Sequence, residues 1–213
     1  MDHNYVKDPM EIEKKSFEII SEELGEKNGS GLKMDMIKRV IHTTADLDYV
    51  DLLHFKEGVE TKIMDAFMSG CTIISDTNMI RVGISKKLAG QLGIEIKCFV
   101  DSEEAYHEAR EKGITRSMAA IDIAARIPGK KLFVIGNAPT ALYRILELVE
   151  KGVLALEAVI GIPVGFVGAA ESKEALWAAD IPSVITKGRK GGSTIGVALV
   201  NAVLKEAVKN LGK

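Results

Sequence analysis

The sequence predicts a single α/β domain, a largely parallel sheet flanked by helices in a Rossmann-like, three-layer arrangement. Three observations carry this. Short runs rich in β-branched residues alternate with longer amphipathic stretches over most of the chain, the pattern of strand–helix–strand units. No repeat, linker or low-complexity tract interrupts the 213 residues, so residues 1–213 read as one domain with room for a substantial core. Hydrophobic residues make up 46% and aromatics only 5%, so aliphatic packing must dominate that core.

Taken in order, Asp8-Pro9 opens the first helix: Asp8 suits the N-cap, Pro9 the first helical position, and Glu11 completes a capping-box arrangement. Ile12, Phe17, Ile20 and Leu24 give it an apolar stripe, and Gly25 stops it. After the Gly/Ser-rich turn of residues 28–32, a second helix is expected from about Met34 to Thr43, with Ile37, Val40 and Ile41 inward. Asp46 and Asp48 mark a turn, Leu52 to Phe55 is a short apolar run, and a helix from about Val59 to Ser69 ends at Gly70. The sheet strands are then Thr72–Ser75, Glu95–Val100, Lys131–Ile135, Ala158–Gly161 and Ser183–Thr186. Helices between them are expected near Ser85–Leu92, Ser102–Lys112, Arg116–Arg126, Thr140–Lys151 and Glu171–Ala179, with a last one from about Thr194 to Lys209.

Composition excludes several classes. A net charge of −2 argues against a general nucleic-acid binder. No long apolar run lacks charges, so no membrane span is expected, and the opening Met1-Asp2-His3-Asn4-Tyr5 is not a secretory signal. Cys71 and Cys98 lack CxxC spacing and read as small hydrophobes near strands rather than metal ligands or a disulfide. No pair of histidines has metal-ligand spacing: His3 is terminal, His54 reads as a core or interface group, and His107 as solvated. A cytoplasmic protein without bound metal is expected.

The chemistry is expected in two places. In an open parallel sheet, ligands bind outside the carboxyl ends of the strands. Four polar or glycine-rich loops fall there: Ser75-Asp76-Thr77-Asn78, Gly136-Asn137-Ala138-Pro139, Gly161 to Gly165, and Lys187 to Lys190. They suggest a shared cleft, since glycine admits close backbone approach and asparagine and serine supply adaptable hydrogen bonds. Neither Gly161-x-x-x-Gly165-x-x-Gly168 nor Arg189-Lys190-Gly191-Gly192-Ser193-Thr194 has the order of a dinucleotide or P-loop fingerprint. The second place is Lys38-Arg39-Val40-Ile41-His42-Thr43-Thr44-Ala45-Asp46, where Arg39 and His42 share a helix face. A cation beside a group that titrates near neutrality is suited to hold an anion and move a proton, although a helix-terminal histidine can also be plain dipole chemistry.

That segment, with the residues from Asp8-Pro9 to Ser16-Phe17, resembles the precorrin-8X methylmutase family of cobalamin biosynthesis. Further matches are Ser75 to Met79, Gly113-Ile114-Thr115-Arg116-Ser117, Gly136 to Leu142, Gly161 to Lys173, and Arg189-Lys190-Gly191-Gly192-Ser193. They run in order along nearly the whole chain, and the ordered set is specific where no single motif is. The resemblance implies an isomerase that moves a methyl group from carbon 11 to carbon 12 of ring C of a (cobalt-)precorrin, with no methyl donor and no cofactor. It maps the family's functional histidine onto His42 as general acid/base, and its substrate-contacting serine and arginine onto Ser16 and Arg39. It implies a polycarboxylate tetrapyrrole as ligand, for which Arg116, Lys173 and Arg189 are further candidate cations, Lys190 a weaker one, and Asp76 and Asn137 candidate loop contacts. Asp46 is a candidate to orient the imidazole. The family also implies a homodimer with sites near the subunit interface. Two other readings remain open at this stage: a non-catalytic tetrapyrrole carrier and a nucleotide-dependent enzyme on the same sheet.

Overall fold

The computed structural model describes residues 6–212; His3 and the rest of the amino-terminal pentapeptide lie outside the described residues. Six strands form one sheet, β1 (Leu53–Phe55), β2 (Thr72–Ser75), β3 (Glu95–Cys98), β4 (Lys131–Ile135), β5 (Ala158–Gly161) and β6 (Ser183–Thr186), in the order β1-β6-β5-β4-β2-β3. All neighbours are parallel except β1, which runs antiparallel along β6 with Leu53 opposite Thr186. The strands β4, β5 and β6 are buried at every position, as expected of parallel strands covered on both faces.

Two helical layers cover the sheet. One contains α2 (Leu32–Thr44), α4 (Val59–Met68) and the long α11 (Ser193–Leu211), whose Met36, Val40, Ile63, Phe67, Leu199 and Val203 pack on Ile73, Val134 and Ile160. The other contains α8 (Arg116–Ala125), α9 (Pro139–Glu150) and α10 (Ala169–Ala178), packed through Ile121, Ile145 and Leu176 on Phe133 and Val159. A small satellite cluster joins α7 (Glu103–Lys112) to α8 through Ala105, Ala109, Ala119 and Ile123. The three-layer α/β expectation therefore holds.

The first helix, α1 (Pro9–Leu24), is capped as its sequence implies: the Asp8 carboxylate accepts from the N–H groups of Met10 and Glu11. Its expected apolar stripe joins the core only at its carboxyl-terminal end, where Ile20 packs against the core beside Leu24. Only Leu24 is buried and Ile12 is 45% exposed, because α1 lies outside α2 rather than against the sheet. Other departures are local. Helix α2 begins at Leu32, after Gly31, and β3 stops at Cys98. Leu52 to Phe55 divides into the end of the one-turn helix α3 (Tyr49–Leu52) and the edge strand β1. The helix expected near Ser85–Leu92 is present as α6 (Lys86–Gln91), capped by Ser85, but a further six-residue helix, α5 (Asn78–Gly83), capped by Thr77, precedes it. Helix α5 starts at Asn78, inside the stretch read as the loop after β2, and is too short for its periodicity to stand out from that loop. No helix among the described residues is long and apolar enough to cross a membrane.

Candidate active site

At the end of α2, His42 stands exposed in the last turn, with its ring stacked on Phe17 of α1 at 5.3 Å between centroids and 23° between planes. Arg39, one turn earlier, lays its guanidinium over the same Phe17 ring at 4.6 Å. The i, i+3 spacing thus does place cation and imidazole on one face, and Phe17 is the platform that both share. Ser16 precedes Phe17 in α1 and donates its hydroxyl back to the Ile12 carbonyl at 2.7 Å. Arg39 is already paired: Nη2 meets Glu13 Oε1 at 2.6 Å, and Lys205 of α11 reaches the same oxygen at 3.1 Å. These two cations, Arg39 foremost, hold the Glu13 carboxyl down at about 2. Beside this cluster a groove of about 700 Å³ runs between α1, α2 and α11, lined by Phe17, Glu13, Arg39 and Lys205 among others.

The four loops expected at the carboxyl ends of β2, β4, β5 and β6 do adjoin, but they are knitted to one another. Asp76 is the knot. It is 3% exposed, and its carboxylate accepts from the backbone N–H groups of Gly136, Asn137 and Ala138 at 2.9, 2.8 and 2.7 Å. Burial pushes its pKa up while the three N–H donors pull it down, the net direction being up. A substrate contact by Asp76 is therefore replaced by a structural one. A Cβ on Gly136 would stand 2.8 Å from Ser193 Cα, which is how closely this loop approaches the start of α11. Thr77 and Ser193 complete the junction through a 2.9 Å hydroxyl pair.

The loops after β5 and β6 are joined likewise, with Gly165 N–H on the Arg189 carbonyl and Gly192 N–H on that of Ile162. Gly191 packs against the Ile162 and Pro163 carbonyls so tightly that a Cβ there would collide with backbone. Lys173, expected as a carboxylate partner, is buried in α10, and its ammonium faces the Lys190 carbonyl at 2.8 Å and Thr186 Oγ1 at 3.1 Å. Desolvation lowers its pKa to about 8. Lys190 instead reaches out to Asp46 at 2.6 Å and Asp48 at 3.0 Å. Asp46 is consequently held by Lys190, which lowers its pKa, rather than aimed at the imidazole.

Two expected cations remain accessible. Arg189 is exposed over the ring of Phe166 at 5.6 Å, and Arg116 is exposed at the start of α8, over the Tyr106 ring at 4.6 Å and bonded to its hydroxyl. Neither is paired with a carboxylate among the described residues. Asn137 is exposed, with its backbone N–H committed to Asp76. Thr115, the cap of α8, bonds Thr140 of α9 at 3.0 Å and ties Arg116 to the Asn137 loop.

The expected residues thus line one rim rather than one pocket. Along it Thr115, next to Arg116, bonds Thr140; Asn137 donates to Asp76; Thr77, next to Asp76, bonds Ser193; and Lys190, three residues before Ser193, reaches Asp46 in the turn after His42. Sequence reasoning missed Phe17 as a shared platform, Glu13 as the present partner of Arg39, Lys205 as a second cation on that carboxylate, and Tyr106 under Arg116. It also missed Phe166 and Val167, which stand 83% and 90% exposed. Bulky apolar residues inside a glycine-rich loop were a readable signal for those two, since such loops are ordinarily polar.

Comparison with known proteins adds the family. The family model for precorrin-8X methylmutase matches residues 11–206. The chain belongs to the precorrin-8X methylmutase family. It is similar to the cobalt-precorrin-8 methylmutase of Salmonella typhimurium, 46% identical over 94% of this chain and 97% of that protein. It is also similar to the precorrin-8X methylmutase of Pseudomonas aeruginosa, 37% identical over 95% and 98% of the two chains. Among solved structures, the precorrin-8X methylmutase from Thermus thermophilus superposes with a TM-score of 0.85 at 33% identity, covering 93% of this chain and 98% of the other. As a member of this family, the chain is an isomerase of cobalamin biosynthesis.

Proposed function

We propose that this isomerase moves the methyl group on carbon 11 of (cobalt-)precorrin-8 to carbon 12 within ring C, giving hydrogenobyrinate or its cobalt form cobyrinate, with His42 as general acid and base. The observation that carries the reading is the pairing of half-buried Arg39 with exposed His42 on the Phe17 ring. In that arrangement the imidazole, in its protonated form, gives its proton to the conjugated ring system, which draws electron density away from carbon 12 and makes it receptive to the migrating methyl group. The methyl group then migrates with its bonding pair, so the bond to carbon 11 breaks as the bond to carbon 12 forms; the deficiency left at carbon 11 is taken up by the conjugated system as the proton returns to His42. Nothing is gained or lost overall, so no methyl donor enters the balance.

The substrate carries many acetate and propionate arms. Arg39, Arg189 and Arg116 are the cations placed to meet them, with Ser16 and Asn137 as neutral partners. A carboxylate arm reaching Arg39 must share it with Glu13 or displace Glu13. Arg116 belongs to the helical layer opposite α2, which favours a homodimer in which sites near the interface draw on both copies. We place the protein in the cytoplasm.

The test is incubation with precorrin-8 and with its cobalt form, followed by absorption spectra of substrate and product. Thermal-shift and calorimetric titrations run alongside with hydrogenobyrinate, cobyrinate, NAD, ATP and S-adenosylmethionine. The two corrin acids should raise the melting temperature by mass action and bind more weakly as salt rises, while the other three do neither. Binding without spectral change would make the protein a carrier; a nucleotide response with indifference to both corrin acids would sink the reading.

A further inference from the structure

A lysine buried where no acid meets it requires a physical reason. Lys173 is 1% exposed, and among the described residues no carboxylate pairs with it. An ammonium taken out of water loses hydration that only charges or good hydrogen bonds restore, whereas methionine would fill similar space without that loss. What the ammonium does is specific. Its Nζ donates to the Lys190 carbonyl and to Thr186 Oγ1, and the Thr186 hydroxyl donates to the same carbonyl at 2.7 Å. Two donors converge on one backbone oxygen.

The side chain of that same residue then crosses to the opposite helical layer. Lys190 Nζ meets both Asp46 and Asp48, and lies 5.9 Å from the Tyr49 ring centroid. The turn it grips follows α2 directly and contains Ala45 at φ 52°, the one non-glycine residue with positive φ among the described residues. Such a conformation persists where its surroundings hold it. An exposed ion pair is ordinarily weak because two long side chains must be ordered to form it. Here the backbone of one partner is fastened from below, which removes part of that disorder.

We propose that Lys173 is a positioning residue: by fixing the backbone of Lys190 it sets the bridge to Asp46 and Asp48, and so holds the end of α2 that presents His42. The catalytic consequence rests on the reading of His42 given above; the mechanical claim does not.

Hydrogen exchange on the full chain separates the two. Amides of residues 42–48 should exchange about three- to tenfold faster in Lys190→Met and in Lys173→Met than in the parent. Lys97→Met, which removes an exposed pair with Glu95 on the edge strand β3, should leave them unchanged. The double variant Lys173→Met/Lys190→Met should exchange no faster there than Lys190→Met alone, because both act through one bridge. Unchanged exchange at 42–48 in Lys173→Met, or additive effects in the double variant, would overturn the proposal. Should Lys173→Met not fold, Lys173→Gln and Thr186→Val each remove one donor arrangement at the Lys190 carbonyl and read the same amides.

Turnover supplies the second arm. For Lys173→Met, kcat should fall at least tenfold with KM within about threefold, and Lys173→Arg should recover part of it. Normal turnover together with accelerated exchange would overturn the positioning role. If the parent itself converts no precorrin-8, the function proposed above has failed, and the exchange data still decide the brace.

Discussion

Asp76→Ala would remove the acceptor for three backbone N–H groups at once. Two of these, from Gly136 and Ala138, belong to buried residues, and that of Asn137 is half-buried. A buried donor left without a partner costs about 1–3 kcal/mol. Three of them set a range of about 3–9 kcal/mol, from which the relief of desolvating one carboxylate must be subtracted. We therefore expect a net loss of about 3–6 kcal/mol, a large share of the roughly 5–15 kcal/mol that a domain has in total. Asp76→Asn keeps one carbonyl oxygen for the Asn137 and Ala138 N–H groups but sets an amide donor against Gly136 N–H, so it should lose about 1–3 kcal/mol. Urea unfolding followed by circular dichroism and by Trp177, the single tryptophan, measures both changes. Under conditions where each variant is folded, affinity for hydrogenobyrinate should stay within threefold of the parent. If Asp76→Ala were within 1 kcal/mol of the parent and had lost the ligand, Asp76 would be a substrate contact and the structural argument would be wrong.

His42→Ala should lower turnover by about 10²–10⁴-fold while product still binds, and His42→Asn, which hydrogen-bonds without titrating, should not restore it; turnover within a few-fold of the parent would exclude proton transfer by His42. Arg39→Met should weaken corrin-acid binding at least about tenfold, as expected for a charge-assisted bond of about 1.5–3 kcal/mol. Glu13→Gln should do the reverse and tighten binding a few-fold, because it frees Arg39 and Lys205 from their present partner; calorimetry on both variants checks the opposed signs. Lys173 predicts a pH dependence. Its folded pKa of about 8 lies below the unfolded value, so between pH 8 and about 10.5 the unfolded chain binds the extra proton and stability rises with pH. Relative to Lys173→Met, the parent should gain up to about 3 kcal/mol across that window in urea unfolding, and a flat difference would refute the assignment.

Most of the architecture was legible in the sequence because it depends on local regularities. Five strands were visible as β-branched runs, and the capped start of α1 was visible in Asp8-Pro9. Less visible was anything that depends on which surface a helix meets. The stripe of Ile12, Phe17 and Ile20 has helical period, yet period does not say whether a partner layer exists, and α1 packs chiefly on α2, with a groove between it and α11. Phe17 consequently serves as a platform for Arg39 and His42 rather than as core.

The same limit explains which site residues kept their expected place. Arg39 and His42 did so because their relation is set by three residues of one helix, which sequence encodes directly. Asp76 and Lys173 did not, because a charged residue near the end of a parallel strand can serve a ligand or the backbone of the next loop, and residue type is the same in both cases. What decides between them is the distance to atoms far away in sequence. Asp76 meets N–H groups about sixty residues later, and Lys173 meets a carbonyl seventeen residues on. The rim therefore divides into exposed groups, His42, Arg116 and Arg189, with Arg39 half-buried against Glu13 beside them, and charged groups turned inward that hold the rim's loops in register. The function proposed above, binding a large, flat polyanion and moving one proton, would need both kinds. Under that proposal the outward cations would select and orient the ligand, and the inward groups would keep the spacing between them from changing when it arrives.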